Sequence, residues 1–200
     1  MGSGVVILEG LVTTVDLQGE VNISAMGALV DDRIEQFVLR PYQTTRTFEN
    51  LNTTKQGVFH VTDDVEMLAR AAIHQWEDAP RMFQAESING LILAEACRWY
   101  AFHVTHLEAR AARTTLACLV CEQGRNRDFF GFNRGKHAVV EAAILASRCE
   151  FLAAASILPQ FQQLAVLVEK TGGAQERRGF ELLNTYVQER LKGRRRKGGG

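Results

Sequence analysis

The stretch RPYQTTRTFEN, residues 40–50, concentrates the side chains that are best suited to bind a ligand. Three threonines and two arginines lie within it, directly after an apolar-alternating run. Arginine forms charge-assisted, often bidentate hydrogen bonds to phosphate. The first amides of a helix add further donors and the positive end of the helix dipole. The stretch therefore fits a phosphate monoester site, and it also fits a hydroxyl-rich loop that caps a helix and carries a surface arginine.

A second unusual sequence, VNISAMG, lies on the strand before that run. Alternate side chains of a β-strand share a face, so Asn22, Ser24 and Met26 are expected on the same side. The small residues Ala25 and Gly27 would let a flat ligand approach the backbone. The alternative interpretation is a tight turn at the end of a barrel.

The elements that must position these residues are mostly strands in the first part of the chain. VVILEGLVTTV, EVNISAMGALV and RIEQFVLR are joined by short turns, and they predict an antiparallel meander that curls into a small barrel. TTRTFENLNT predicts a short helix with Thr44 or Thr45 as its N-cap. GVFHV predicts a fourth strand, and ACRWYAFHVTHLEA with RTTLACLVCE predicts a hairpin. Between them, TDDVEMLARAAI predicts a helix with a capping box of Asp63 and Glu66, followed by an irregular covering loop over residues 74–93.

From His137 onward the sequence is helical in character. Two apolar stripes at helical spacing predict buried faces: Leu158, Phe161, Leu164, Ala165 and Val168 in one helix, and Phe180, Leu183, Val187 and Leu191 in the next. Strands followed by helices predict an α+β fold. The predicted organisation is a barrel domain over residues 1–130, a helical region over 131–192 and a disordered basic tail over 193–200.

Composition excludes several classes of function. The 200 residues include 23 basic and 23 acidic side chains, so no net charge attracts nucleic acid or an anionic membrane. No apolar run reaches the roughly 18 residues of a membrane span. The N-terminus lacks the basic start of a signal peptide, and the predicted location is the cytoplasm. The pairs Cys118/Cys121 and His103/His106 are spaced to lie on opposite faces of strands, which argues against a metal site.

The order of these segments resembles the FMN-binding split-barrel superfamily, which includes flavin reductase-like and pyridoxamine phosphate oxidase-like barrels. Within it, the chain is similar to an uncharacterised family of archaea and some bacteria. The resemblance is carried by EGLVTTVDLQGEVNISAMGALV, FVLRPYQTTRTFENLNTTKQGVFHVTDDVEMLARAAI, NRGKHAVVEAAILASR and VEKTGGAQERRGFELLNTYV. It covers residues from about Leu8 to Val187. It implies a six-stranded antiparallel split β-barrel that forms a homodimer and binds FMN near the subunit interface.

The resemblance also implies which residues hold the cofactor. In related barrels a Ser/Thr-Arg-Lys loop binds the FMN phosphate, and TTRT occupies that place with a threonine where lysine is usual. Arg40 is the candidate for the missing cation, and Asn50 is a candidate brace for the loop. The VNISAMG strand would border the flavin ring. The candidate cofactor-binding residues are therefore Asn22, Ser24, Ala25, Met26, Arg40, Thr44, Thr45, Arg46, Thr47 and Asn50.

Two activities follow from this resemblance: a flavin-dependent oxidoreductase of unspecified substrate, with transient use of NADH or NADPH, and a non-catalytic flavin carrier or electron-transfer protein. No acid–base pair, serine triad or metal cluster points to a catalytic residue. A flavin enzyme does not require one, because the flavin itself carries the redox chemistry. His60 is interpreted as a barrel histidine with its hydrogen bonds satisfied. Arg134 and Lys136 are either solvated residues of a helix start or contacts to a cofactor in a partner chain.

Overall fold

The computed structural model describes residues 5–109 and 114–197, with side chains as far as residue 194. The chain divides into a first unit, Met1–Thr62 with Asp78–Phe129, and a second unit, Asp63–Glu77 with Phe130–Gly200. The sequence placed the boundary near residue 130 and assigned residues 63–77 to the barrel. In the structure those residues join the helical unit instead.

The first unit is a β-barrel. Its strands are β1 (Val6–Val15), β2 (Val21–Val30), β3 (Gln36–Leu39), β4 (Gln56–Val61), β5 (Met82–Gln84), β6 (Leu91–Leu93), β7 (Arg98–Glu108) and β8 (Thr115–Arg125), and its helix is α1 (Arg46–Thr54). Six strands close the barrel in the order β1-β2-β3-β8-β7-β4. Every neighbouring pair is antiparallel. The predicted α+β fold with a six-stranded antiparallel barrel is confirmed.

Aromatic and branched side chains fill the barrel interior. The ring of Phe37 lies with its centroid 5.6 Å from that of Phe59 and 5.1 Å from that of Phe102. Leu51 of α1 is fully buried and belongs to the same cluster. Burying a side chain of this size stabilises the fold by roughly 1.5–3 kcal/mol. Leu51 therefore packs α1 against the barrel core.

The prediction of an irregular loop over residues 74–93 is wrong, because the segment contains two strands. Strands β5 and β6 pair there as a short antiparallel hairpin. Each has only three residues, too few for an alternating pattern to be recognised in the sequence. The segment does cover the barrel, because Ile88 and Ile92 pack with Val58 and Trp99 on its outer side.

The second unit consists of helices, namely α2 (Val65–Ile73), α3 (Arg134–Ser147), α4 (Ala154–Thr171) and α5 (Ala174–Lys197). Among the residues described, none of these helices is both long and apolar enough to cross a bilayer. The predicted stripes face the interior at Phe161, Val168, Leu183, Val187 and Leu191, whereas Leu158, Leu164, Ala165 and Phe180 are only partly buried. Helix α5 continues to Lys197, so the predicted disordered tail begins within it, and residues 198–200 lie outside the described part.

The capping box predicted for α2 is wrong by one residue. Asp64, not Asp63, is the N-cap, and its side chain accepts a hydrogen bond of 2.9 Å from Met67 N. Asp63 instead accepts from Phe130 N at 2.5 Å. Glu66 pairs with Arg70 and Arg178 rather than returning to the cap. Two consecutive aspartates fit the sequence pattern equally well, and only the backbone geometry decides between them.

Candidate functional site

Helix α1 begins at a threonine cap, as the sequence predicts. Thr45 has an extended backbone, and its hydroxyl oxygen accepts from Phe48 N at 3.3 Å. The same hydroxyl donates to the carbonyl of Tyr42 at 2.8 Å. These two bonds occupy the hydroxyl of Thr45 in closing the turn. The geometry of a helix start leaves the amides of Arg46 and Thr47 without an intrahelical acceptor.

Beneath this helix start lies a polar layer made of Thr14, Asn22, Ser24, Thr47 and Asn50. The hydroxyl of Thr47 lies 2.7 Å from that of Ser24 and accepts from Asn22 Nδ2 at 2.9 Å. Asn50 Nδ2 donates to the hydroxyl of Thr14 at 3.0 Å. Thr47 is 2% exposed, so leaving these partners unpaired would cost free energy.

The polar layer gives several predicted site residues a position. Asn22 and Ser24 do share one face of β2, and that face meets α1. Thr47 and Asn50 point toward the strands, where they bind α1 to β2 and β1. They therefore brace the loop in this structure, a role that the sequence predicted for Asn50. Thr14 was missed, because one threonine in a long β-rich run gives no separate signal.

Arg46, the first residue of α1, extends toward the turn between β1 and β2. Its Nη2 lies 2.9 Å from Asp16 Oδ2, and half of its side chain is exposed. Backbone hydrogen bonding from Glu20, with a further contribution from Arg46, lowers the pKa of Asp16. Asp16 was also missed as a site residue. The sequence identified DLQG only as a turn, and the partner of its aspartate lies 30 positions away.

The remaining candidate residues are placed less closely together. Thr44 is exposed, beside the cap of α1, and Arg40 is exposed just after β3. Ala25 is half-buried, and Met26 packs against the barrel core. A side chain at Gly27 would come within 2.6 Å of an Ile7 methyl group. The neighbouring strand therefore requires glycine at this position. This contact explains Gly27 without the flat ligand that the sequence suggested.

His60 is a buried structural residue. Its Nε2 accepts from Leu93 N at 3.0 Å, and its Nδ1 lies 3.3 Å from the carbonyl oxygen of Leu11. A neutral ring with its hydrogen on Nδ1 satisfies both contacts. Burial lowers the pKa of His60 to about 3, and the hydrogen bond to Leu11 opposes this only in part. A neutral ring enclosed in this way is unsuited to proton transfer near neutral pH.

Lys136, near the start of α3, is not a solvated residue, which corrects one of the two interpretations of NRGKH. Its Nζ donates to the carbonyl of Asp63 at 2.8 Å and to Gln175 Oε1 at 3.0 Å. It also lies 2.9 Å from Glu176 Oε1. These three contacts use all the hydrogens of the ammonium group. Arg134, two residues earlier, is exposed.

The cysteines are also placed by the strands that carry them. Cys118 is buried and Cys121 is exposed, as expected of opposite faces. Burial raises the pKa of the Cys118 thiol to about 12. Within the two described ranges, no group of three or more His, Cys, Asp or Glu side chains is arranged to hold a metal ion.

Two family models match the chain. The family described as "Protein of unknown function (DUF447) N-terminal domain" matches residues 8–127, and "Protein of unknown function (DUF447)" matches residues 133–185. The chain belongs to the DUF447 family. No curated protein matches this DUF447 chain in sequence.

Solved structures share the fold of this DUF447 chain. An FMN-bound DUF447 protein from Methanosarcina mazei has a TM-score of 0.78 at 21% identity, over 92% of this chain and 97% of its own. The flavin reductase HpaC, complexed with NADP+, has a TM-score of 0.53 at 12% identity, over 64% and 83%. The styrene monooxygenase flavin reductase from Pseudomonas putida S12 has a TM-score of 0.51 at 11% identity, over 60% and 82%. The two flavin reductases therefore share a fold with this chain over the 60–64% of it that they cover.

Proposed function

We propose that this DUF447 chain binds FMN, with the phosphate at the start of α1 and the ring system along β2. The observation that carries the proposal is that Arg46, the first residue of α1, keeps half of its side chain exposed at a helix start whose first amides have no acceptor within the helix. The polar layer braces this helix start from below. The FMN-bound DUF447 protein of Methanosarcina mazei supports the choice of FMN among phosphate monoesters.

Within this proposal the candidate residues have two kinds of role. The side chains of Arg46 and Thr44 are exposed. The amides of Arg46 and Thr47 have no acceptor within the helix. These groups would bind the phosphate. Arg40, exposed after β3, would add the second cation. Thr45, Thr47 and Asn50 hold the helix start in place. Asn22, Ser24, Ala25 and Met26 would border the ring from β2.

We further propose that the protein is a flavin-dependent oxidoreductase. When bound, FMN supplies the redox chemistry, so the residues of this chain need only bind and orient it. The flavin reductase neighbours support this class, and the NADP+ in one of them supports a transient nicotinamide donor. The second candidate function is a flavin carrier or electron-transfer protein.

We also propose that the protein is located in the cytoplasm, as the sequence predicts.

A homodimer is part of the same proposal. Phe129, Phe130 and Phe132 lie in one short segment, and they are 49%, 76% and 93% exposed. Exposed aromatic groups in a single segment are typical of surfaces that another chain covers. We expect light scattering at micromolar concentration to give twice the mass of one 22.3 kDa chain. A mass near that of one chain would contradict the dimer.

The decisive experiment is a flavin titration of the purified protein. We expect one FMN per chain, bound more tightly than riboflavin or FAD, with an absorbance spectrum shifted from that of free FMN. A protein that neither carries flavin nor quenches FMN fluorescence at micromolar concentration would contradict the proposal. Anaerobic addition of NADH or NADPH then separates the two functions. Bleaching of the flavin supports the oxidoreductase, and reduction by dithionite alone supports the carrier.

A further inference from the structure

Asp16, in the turn between β1 and β2, is fixed independently of its partner Arg46. Its Oδ1 accepts from Gln18 N and from Glu20 N, each at 2.9 Å. The turn is closed as well by backbone bonds between Asp16 and Glu20 and from Gly19 to Asp16. The carboxylate is thus held by the backbone of its own turn, so its other oxygen has a defined position.

That second oxygen, Oδ2, receives Nη2 of Arg46. A guanidinium group has five N–H donors in a rigid plane, and a contact through Nη2 leaves the other edge of the plane available. An exposed arginine otherwise loses considerable rotamer freedom when it binds a ligand. An anchored carboxylate removes part of that loss before the ligand arrives.

We propose that Asp16 is a positioning residue for the phosphate site. It holds the guanidinium of Arg46, the first residue of α1, in one orientation, and so increases the preference for FMN over riboflavin. This inference rests on the proposed FMN function. Asp16 also carries a negative charge that opposes a phosphate, but two turn amides already compensate its Oδ1. Because the site is exposed and screened by salt, the fixed orientation of Arg46 has the larger effect.

The test compares four proteins: wild type, Asp16→Asn, Arg46→Ala and the double variant. Asparagine keeps the Oδ1 acceptor for the turn amides and loses the charged contact to Arg46. Fluorescence titration should show FMN bound about threefold to fivefold more weakly by Asp16→Asn, a size typical of an exposed ion pair. Riboflavin binding should not change. In the Arg46→Ala background, Asp16→Asn should cause no further loss.

The matched control is Asp31→Asn. Asp31 anchors the next turn in the same way, since its Oδ1 accepts from Arg33 N and Ile34 N. This variant should bind FMN like the wild type. Tighter FMN binding by Asp16→Asn would overturn the inference, because Asp16 would then compete with the phosphate. An equal loss in the presence and absence of Arg46 would overturn it too, because Asp16 would then act by another route.

A second measurement separates this inference from the proposed function. Inorganic phosphate is titrated into wild type and Asp16→Asn, and the NMR shifts of the Arg46 and Thr47 amides are followed. Saturation at lower phosphate concentration in the wild type supports the positioning role even if no flavin binds. Identical titrations, or no shift in either protein, would overturn it. Failure to bind FMN alone contradicts only the proposed function.

Discussion

Two helix starts in this chain carry basic residues that the sequence presents as similar candidates for cofactor contact. Arg46 opens α1 in the barrel unit, and Lys136 lies in the first turn of α3 in the helical unit. Arg46 makes one ion pair and keeps half of its side chain exposed. Lys136 is 14% exposed and donates to three acceptors of its own unit. The number of donors left over, rather than the charge, distinguishes a binding residue from a structural one.

The electrostatics of the helical site support this distinction. Burial opposes ionisation of Glu176, but hydrogen bonds from Lys136 and from Gly173 N hold its pKa below the ordinary value. Glu176 is 8% exposed in its side chain. A buried pair of this kind has no free donor to offer a ligand. It instead fixes the start of α2, through the carbonyl of Asp63, against α3 and α5.

The largest effect is expected from Lys136→Met. It would leave Glu176 buried and ionised without its cation, which typically costs about 3–5 kcal/mol of unfolding free energy. Denaturant unfolding measures the loss, and Arg134→Met, exposed in the same turn, should change stability by less than about 0.5 kcal/mol. A stable Lys136→Met protein with weakened FMN binding would remove the contrast between the two helix starts.

Arg46→Ala should have the opposite profile. Losing a charge-assisted phosphate contact should weaken FMN binding by roughly tenfold to hundredfold, about 1.5–3 kcal/mol, and we expect the lower end because Arg46 is half exposed. Riboflavin binding and unfolding free energy should stay close to wild type. Parallel titrations with the two flavins check this. Equal losses for both ligands would assign Arg46 to the fold or to the ring instead.

Thr47→Val tests the brace beneath the phosphate site. Valine keeps the shape of the side chain but removes the hydroxyl that pairs with Ser24 and Asn22. With Ser24 buried, we expect a stability loss of about 1–2 kcal/mol in denaturant unfolding. Thr53→Val is the control, because its hydroxyl donates to the carbonyl of Glu49 at an exposed position of the same helix. Equal stability losses in both variants would show that the polar layer contributes nothing specific.

The smallest effect is the change in unfolding free energy per pH unit that we expect from protonation of His60. Its folded pKa of about 3 lies below the ordinary value of 6.5, so the unfolded chain binds the proton more readily. The stability that depends on the neutral ring is complete above pH 6.5 and falls below it, by up to about 1.4 kcal/mol per pH unit. His60→Gln should reduce this slope between pH 6.5 and 5, whereas exposed His106→Gln should keep it. A wild-type slope in His60→Gln would exclude His60 as its source.

The sequence by itself determined the six barrel strands, the helical second half and the order of these elements. β-rich runs bounded by turn residues predicted the six barrel strands, because turn residues mark where a strand ends. Thr44 or Thr45 predicted the start of α1, because a side-chain oxygen at the cap accepts from the first amides. These signals lie within a few residues of each other, where local geometry alone sets the outcome. The same short range explains the errors at Asp63 and over residues 74–93.

Only the tertiary structure decided which polar groups meet. Asp16 reaches Arg46 across 30 positions, and Lys136 reaches Asp63 across 73. Neither pairing leaves a periodic signal in the sequence, because each depends on how strands and helices pack. Burial then determines whether the donors of a charged group stay free for a ligand or form hydrogen bonds inside the fold. Arg46 remained available and Lys136 did not, for that physical reason.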